Sequence, residues 1–414
     1  MVTILTLLLL GGSLVHLFLF VYNRWLLCIA DGRWKLPIHY AWFAVSIPLP
    51  ALGVLLALQT EAMRASLAWS PLDGASRGIF VAQTALLAFW GARSLIWLQE
   101  RFIPDRSANL LEETVTRPVM PTVPSRLPRG FRGLETTGDL LLVEREVAVS
   151  GLGAAFDGLT IAQVSDVHFG ERLEMENYFA GVRDLVEQLA PDIVVFTGDF
   201  VDKRRDITRS IEYHRGFRGT LGTFYVMGNH DYWTKAERIR SGLAMSHLRW
   251  LGGGERRVLK REGRRLVFTG VDAPWDGSRP DWRRVVRREP GDAVIVLSHT
   301  PDNAPIAARH GASLILSGHN HGGQVCAPIL GPIVAPSRFG LKYTGGFYRV
   351  GVDSALNVSR GVGISSGKIR ILCPPEICLL TLRAPIVEVM AGRVVPARAI
   401  LRPIAGVEGI RARG

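Results

Sequence analysis

An α/β domain with a largely buried sheet is predicted between residues 136 and 385, preceded by transmembrane helices in residues 1–100. Three observations carry this. Short apolar runs alternate with helical stretches from about residue 140 onward, the pattern of strands connected through helices. The runs are apolar throughout rather than at every second position, as strands covered on both faces are. The first hundred residues hold three apolar stretches near the ~20 residues that cross a hydrocarbon core.

Those stretches are 4–22, 36–58 and 79–98. The first has no Lys or Arg before it and no small-residue cleavage site after it, so a retained helix is expected rather than a signal peptide. Pro48 and Pro50 would kink the second, and Arg93 near the end of the third can snorkel to the interface. Arg24, Arg33, Lys35, Arg101 and Arg106 fall on one side of a three-span arrangement, against Arg64 and Arg77 on the other. That bias predicts a cytoplasmic C-terminal domain. Residues 101–135 read as a linker, because Pro104, Pro118, Pro121, Pro124 and Pro128 interrupt any helix.

Within the domain, strands are predicted at 159–164, 193–196, 223–226, 267–271, 293–297 and 313–316. Helices are predicted near 174–189 and 303–310. Residues 386–414 form a tail rich in Arg, Val, Ala and Gly, with no role that the residues suggest.

A hydrophobic fraction of 48% and a mean hydropathy of +0.18 fit membrane segments better than an enlarged core. The net charge of +12 suits an anionic membrane surface, where each Lys or Arg gains roughly 1 kcal/mol. Paired arginines such as Arg256-Arg257 and Arg287-Arg288 read as a solvated basic surface, and no nucleic-acid motif stands beside them. Cys28, Cys326, Cys373 and Cys378 make neither a disulfide framework nor a C-x-x-C site. A Cys373–Cys378 bridge is open, with two ordinary strand cysteines the favoured reading.

Five blocks carry chemistry: Asp166-Val167-His168, Gly198-Asp199-Phe200-Val201-Asp202, Gly228-Asn229-His230-Asp231, His299 in Ser298-His299-Thr300, and Gly318-His319-Asn320-His321. Each begins where a predicted strand stops, and strand ends in open α/β sheets converge on one rim. A single block would be an ordinary turn or a helix cap; five at strand ends, all with ligand chemistry, are not. Their carboxylate, imidazole and amide groups suffice for two metal ions, an arrangement suited to displacement at phosphorus. Without thiolate the set suits Mn²⁺ or iron, with Mg²⁺ and Zn²⁺ also compatible. Asp272 also follows a strand but is not expected to be a ligand.

The order D-x-H, G-D-x-x-D, G-N-H-D, H, G-H-x-H resembles the calcineurin-like metallophosphoesterase superfamily over residues 137–383. The runs 318–324 and 373–377 resemble a bacterial phosphodiesterase-like branch with members at the inner membrane, some acting on the UDP-2,3-diacylglucosamine precursor of lipid A. The resemblance implies a sandwich of two mixed β-sheets flanked by helices. It implies that Asp166, His168 and His321 hold one divalent ion and Asn229, His299 and His319 a second, with Asp199 bridging. His230 would contact the phosphate and protonate the leaving oxygen, with Asp231 orienting it and Asp202 in support. The expected activity is hydrolysis of a phosphodiester or pyrophosphate bond, on a lipid-linked or a soluble substrate. A non-catalytic scaffold would lack ligands, and none is missing.

Overall fold

The computed structural model describes residues 109–396, apart from 329–330, 366, 386 and 391–392. The stretches 4–22, 36–58 and 79–98 lie outside the described residues, within which no helix is long and apolar enough to cross a membrane.

In chain order the first strands are β1 (Leu110–Thr116), β2 (Leu141–Ala148), β3 (Thr160–Val164), β4 (Ile193–Phe196), β5 (Gly222–Tyr225) and β6 (Leu248–Trp250). Next come β7 (Gly253–Arg261), β8 (Arg264–Val271), β9 (Asp292–Ser298), β10 (Leu314–Ser317), β11 (Cys326–Ala327) and β12 (Gly331–Pro332). The last are β13 (Gly346–Arg349), β14 (Ala355–Val358), β15 (Glu376–Arg383), β16 (Val387–Met390) and β17 (Arg393–Pro396). The helices are α1 (Glu176–Leu189), α2 (Ile207–Arg215), α3 (Asn229–Thr234), α4 (Ala236–Ala244), α5 (Trp282–Val285) and α6 (Ala304–Arg309).

One sheet runs β1-β2-β15-β3-β4-β5-β6 and the other β13-β14-β10-β9-β8-β7. Both are mixed: β3, β4, β5 and β6 pair in parallel, as do β8, β9, β10 and β14, while β15–β3 and β7–β8 are antiparallel. Alternate side chains of the same strands feed different layers. Ile161, Ile193, Val195 and Phe224 meet Leu266, Phe268, Ile295, Leu297 and Leu316 between the sheets. Ala162, Val164, Val194 and Phe196 face the other way, onto Tyr178, Phe179 and Val182 of α1 and Ile211 of α2. Val267, Val294, Val296 and Ile315 pack with Trp282 of α5 and Ala304 of α6. The expected two-sheet sandwich is therefore present. Its central strands are largely apolar because each is buried on both faces.

Part of the stretch read as a linker belongs to the sheet. β1 pairs antiparallel with β2 along a window free of proline, between Pro104 and Pro118. Met120 and Val123 then pack on the helical layer, so this chain runs over the domain rather than away from it. In the segment read as a tail, β16 and β17 form a hairpin. No disulfide joins the three described cysteines, and Cys373 precedes β15 in a loop while Cys378 lies within it. β7 is the exposed edge that carries Arg256, Arg257, Lys260 and Arg261.

Candidate metal centre

The C-terminal ends of β3, β4 and β5 from one sheet and of β9 and β10 from the other converge on one rim. Asp166 and His168 follow β3, Asp199 follows β4, Asn229 opens α3 after β5, His299 follows β9, and His319 and His321 follow β10. Metal-ligating atoms of Asp166, His168, Asp199 and His321 lie within 4.8 Å of one another, and so do those of Asp199, His299 and His319. Asp199 belongs to both groups. Asn229 joins the second through Oδ1, 3.0 Å from Nε2 of His299.

The backbone is bent to achieve this. Of the ten non-glycine residues with positive φ among those described, five are Asp166, His168, Asp199, His319 and His321, at 46–73°. Such conformations are uncommon for residues with a Cβ and cluster at functional sites. Two glycines are required for space rather than for φ. A Cβ on Gly228 would stand 2.1 Å from Oδ1 of Asp199, and one on Gly318 would stand 2.0 Å from Oγ of Ser165.

Three of the histidines are fixed in the tautomer a metal needs. Nδ1 of His168 contacts Oδ1 of Asp202 at 2.7 Å, Nδ1 of His299 donates to the Thr197 carbonyl at 2.7 Å, and Nε2 of His319 donates to the Pro336 carbonyl at 2.9 Å. Each ring thus points its other nitrogen into the cluster, the arrangement typical of metal-ligating histidines. His321 differs: the buried guanidinium of Arg370 stands 3.3 Å from its Nδ1. Nε2 of His321 faces Nε2 of His168 at 2.9 Å and Oδ1 of Asp166 at 3.4 Å. The donors present, oxygen and imidazole nitrogen at two groups sharing one carboxylate, fit two divalent cations.

Burial and charge pull these groups in opposite directions. Burial depresses the His168 imidazole, but Asp202, Asp199 and Asp166 outweigh it and raise the pKa to about 10. Burial likewise depresses His299, but the neighbouring Asp199 outweighs it and raises the pKa to about 9. Asp199 goes well below the carboxylate range despite burial, held there by His299, His230 and His168. Asp166 rises, through burial and the neighbouring charge of Asp199. The protein by itself thus balances its carboxylates with imidazolium protons, which a bound cation would displace.

The third block, Gly228-Asn229-His230-Asp231, divides otherwise than expected. Asp231 does not orient His230. Its buried carboxylate accepts the backbone N–H groups of Asp199 (2.9 Å), Phe200 (2.8 Å) and Gly228 (2.9 Å), locking two loops together. Burial and the Asp199 charge raise its pKa to about 8. The residue beside His230 is Asp202, with Oδ1 2.6 Å from Nδ1. The His230 side chain keeps 20% of its exposure, against 0% for His168, so it stands at the rim, grouped with His168 and Asp202 rather than with Asp199.

Asp272 is no ligand, because Met227 N, Tyr232 Oη and Trp250 Nε1 saturate it at 2.9–3.0 Å. Arg370 escapes a motif reading altogether. It is fully buried and donates to the carbonyls of Gly363, His321 and Arg360, tying the His321 loop to the segment before β15. Its only sequence signal is a lone arginine in a loop.

The family described as calcineurin-like phosphoesterase matches residues 159–323, the span holding every residue of the two groups. The uncharacterized metallophosphoesterase YkuE of Bacillus subtilis is 29% identical over 246 residues, 58% of this chain and 85% of its own. An uncharacterized metallophosphoesterase of Aquifex aeolicus is 30% identical over 241 residues, 54% of this chain and 85% of its own. The chain belongs to the calcineurin-like metallophosphoesterase family. A transmembrane protein with metallophosphoesterase domain from Bos taurus is also similar to this metallophosphoesterase, 30% identical over 260 residues and 58% of the chain. There the match spans little more than half of the relative, 56% of its length.

Proposed function

We propose that this metallophosphoesterase hydrolyses a phosphodiester or pyrophosphate bond, at a membrane to which its N-terminal segment anchors it. The observation that carries the reading is the shared position of Asp199 between two ligand groups. Asp166, His168 and His321 would complete one cation's shell, and Asn229, His299 and His319 the other's. Two divalent ions held by these residues would supply an acidified water and would neutralise charge on the phosphoryl oxygens.

The protein's own residues do the rest. His230 is the partly exposed imidazole at the rim, and Asp202 fixes its Nδ1 so that Nε2 is free for the leaving oxygen. Asp231 keeps the loops of Asp199 and Asn229 in register through its three backbone contacts. Supporting the anchor are the apolar stretches 4–22, 36–58 and 79–98 and the similarity to the bovine protein named a transmembrane protein. An anchored site favours a lipid-linked substrate, and an acylated nucleotide sugar is the concrete candidate.

The test compares turnover of an acylated UDP-sugar with that of bis-p-nitrophenyl phosphate by the metal-loaded full chain. Turnover of both is expected. Good turnover of the model diester alone would remove the lipid-linked substrate, and turnover of neither would remove the esterase reading.

A further inference from the structure

A cavity of about 520 Å³ opens directly beside the ligand group of His319. The buried ring of His319 and the indole of Trp275 meet there, centroids 5.4 Å apart and tilted by 52°. Trp282 and Ile306 add apolar surface, and the exposed Arg279 and Arg338 also line the cavity. The volume is that of a small-molecule site, and polar groups such as Ser278, Thr300 and Asn303 share its wall about equally with the apolar ones.

Two further observations bear on the occupant. Nε1 of Trp275 is buried with no hydrogen-bond acceptor among the described residues, a cost that a ligand oxygen would remove. Asp302 also lines the cavity, but its carboxylate accepts from Oγ of Ser337 at 2.6 Å and from the Arg338 amide at 3.0 Å. Its oxygens hold the wall together, and the two arginines remain as the charges offered outward. Indole walls favour a flat ring, and guanidinium groups favour a carboxylate or phosphate.

We propose that this cavity is the subsite for the substrate's second substituent, a flat ring system that ends in an anionic group. It rests on the phosphoesterase reading, since that substituent is placed by the phosphorus held beside His319. Trp275 forms the wall nearest the reacting group, and Arg279 and Arg338 pair with the distal anion.

The test uses the metal-loaded full chain and three diesters sharing the p-nitrophenolate leaving group: methyl, phenyl and 4-carboxyphenyl p-nitrophenyl phosphate. The value of kcat/KM should rise along that series, by roughly tenfold per step and mainly through KM. Trp275→Ala should bring the phenyl-to-methyl ratio close to one. Arg279→Ala with Arg338→Ala should do the same to the 4-carboxyphenyl-to-phenyl ratio. Comparing ratios between variant and wild type removes the esters' differing reactivity. Ratios unchanged in both variants overturn the subsite. The arginines are exposed, so their replacement leaves the fold intact whatever Trp275→Ala does.

Failure of the esterase reading looks different, because then no ester turns over. Calorimetric binding of 4-carboxyphenyl phosphate still decides in that case. Affinity weakened at least about fivefold in the double arginine variant supports the subsite, and equal affinity contradicts it. Replacing the carboxylate by a second phosphate in the same assay distinguishes the two anions.

Discussion

Asp202 holds His230 by a 2.6 Å contact between Oδ1 and Nδ1. The same oxygen lies 2.7 Å from Nδ1 of His168, so one carboxylate braces both a proposed metal ligand and the residue proposed to serve the leaving group. Burial works against its ionisation, yet His168 and His230 keep it below the usual carboxylate range. Asp202→Asn should lower both metal affinity and kcat by roughly 10–100-fold, the usual effect of such supporting groups. His230→Ala should lower kcat while leaving metal content at the wild-type value. Parallel kinetics and metal analysis check both, and a silent Asp202→Asn would refute the brace.

Metal affinity should depend on pH through His168 and His299. Both folded-state values, about 10 and about 9, lie above the ordinary histidine value of about 6.5. The stability these protons confer on the metal-free protein is fully present below the unfolded value and is lost as pH rises through 9–10. A cation must displace them, so apparent affinity should rise with pH, by up to roughly tenfold per unit for each proton released. Titrations at pH 7 and pH 8.5 check this, alongside a falling Tm of the metal-free protein over the same window.

Much of this centre was legible in the sequence, and the reason is local. Asp166, Asp199, His299 and His319 each sit at the end of an apolar run, and in a parallel sheet such ends fall on one rim without knowledge of the packing. A supporting role for Asp202 was legible, but not that it rather than Asp231 reaches His230, because that depends on side-chain direction at a turn. Arg370 and Trp275 were hidden for a related reason: each gains its meaning from a loop distant in sequence. β1 was masked by its prolines, which flank the strand and never enter it.

His214 should make the fold sensitive to acid. It is buried among Phe196, Phe200 and Tyr213, with Nδ1 donating to the Ser210 carbonyl at 2.7 Å. Burial pushes its pKa down to about 3, so the folded state excludes a proton that the unfolded chain binds. That stability is full above about 6.5 and falls as pH drops toward 3, by about 1.4 kcal/mol per unit. His214→Phe should cost about 1 kcal/mol at pH 8 through the lost hydrogen bond, yet be the more stable form at pH 5. Denaturant melts at both pH values would reveal the crossing or its absence.

Gly228→Ala should destroy the centre without replacing any of its residues. The added methyl carbon would meet Oδ1 of Asp199 at 2.1 Å and Nε2 of His299 at 2.7 Å, both in the cluster. Metal binding and turnover should fall by more than about 100-fold, since one displaced bridge affects both sites. A soluble variant that retained both would show that the cluster tolerates a shift its packing forbids.

The central claim is that Asp199 joins two metal sites into one centre. Its most direct test is the metal content of Asp199→Ala against wild type, by elemental analysis after equilibration with Mn²⁺ and removal of free ion. The account predicts about two ions per wild-type chain, and loss of both, together with hydrolysis, in the variant. A variant that kept two ions or full activity would contradict the shared centre.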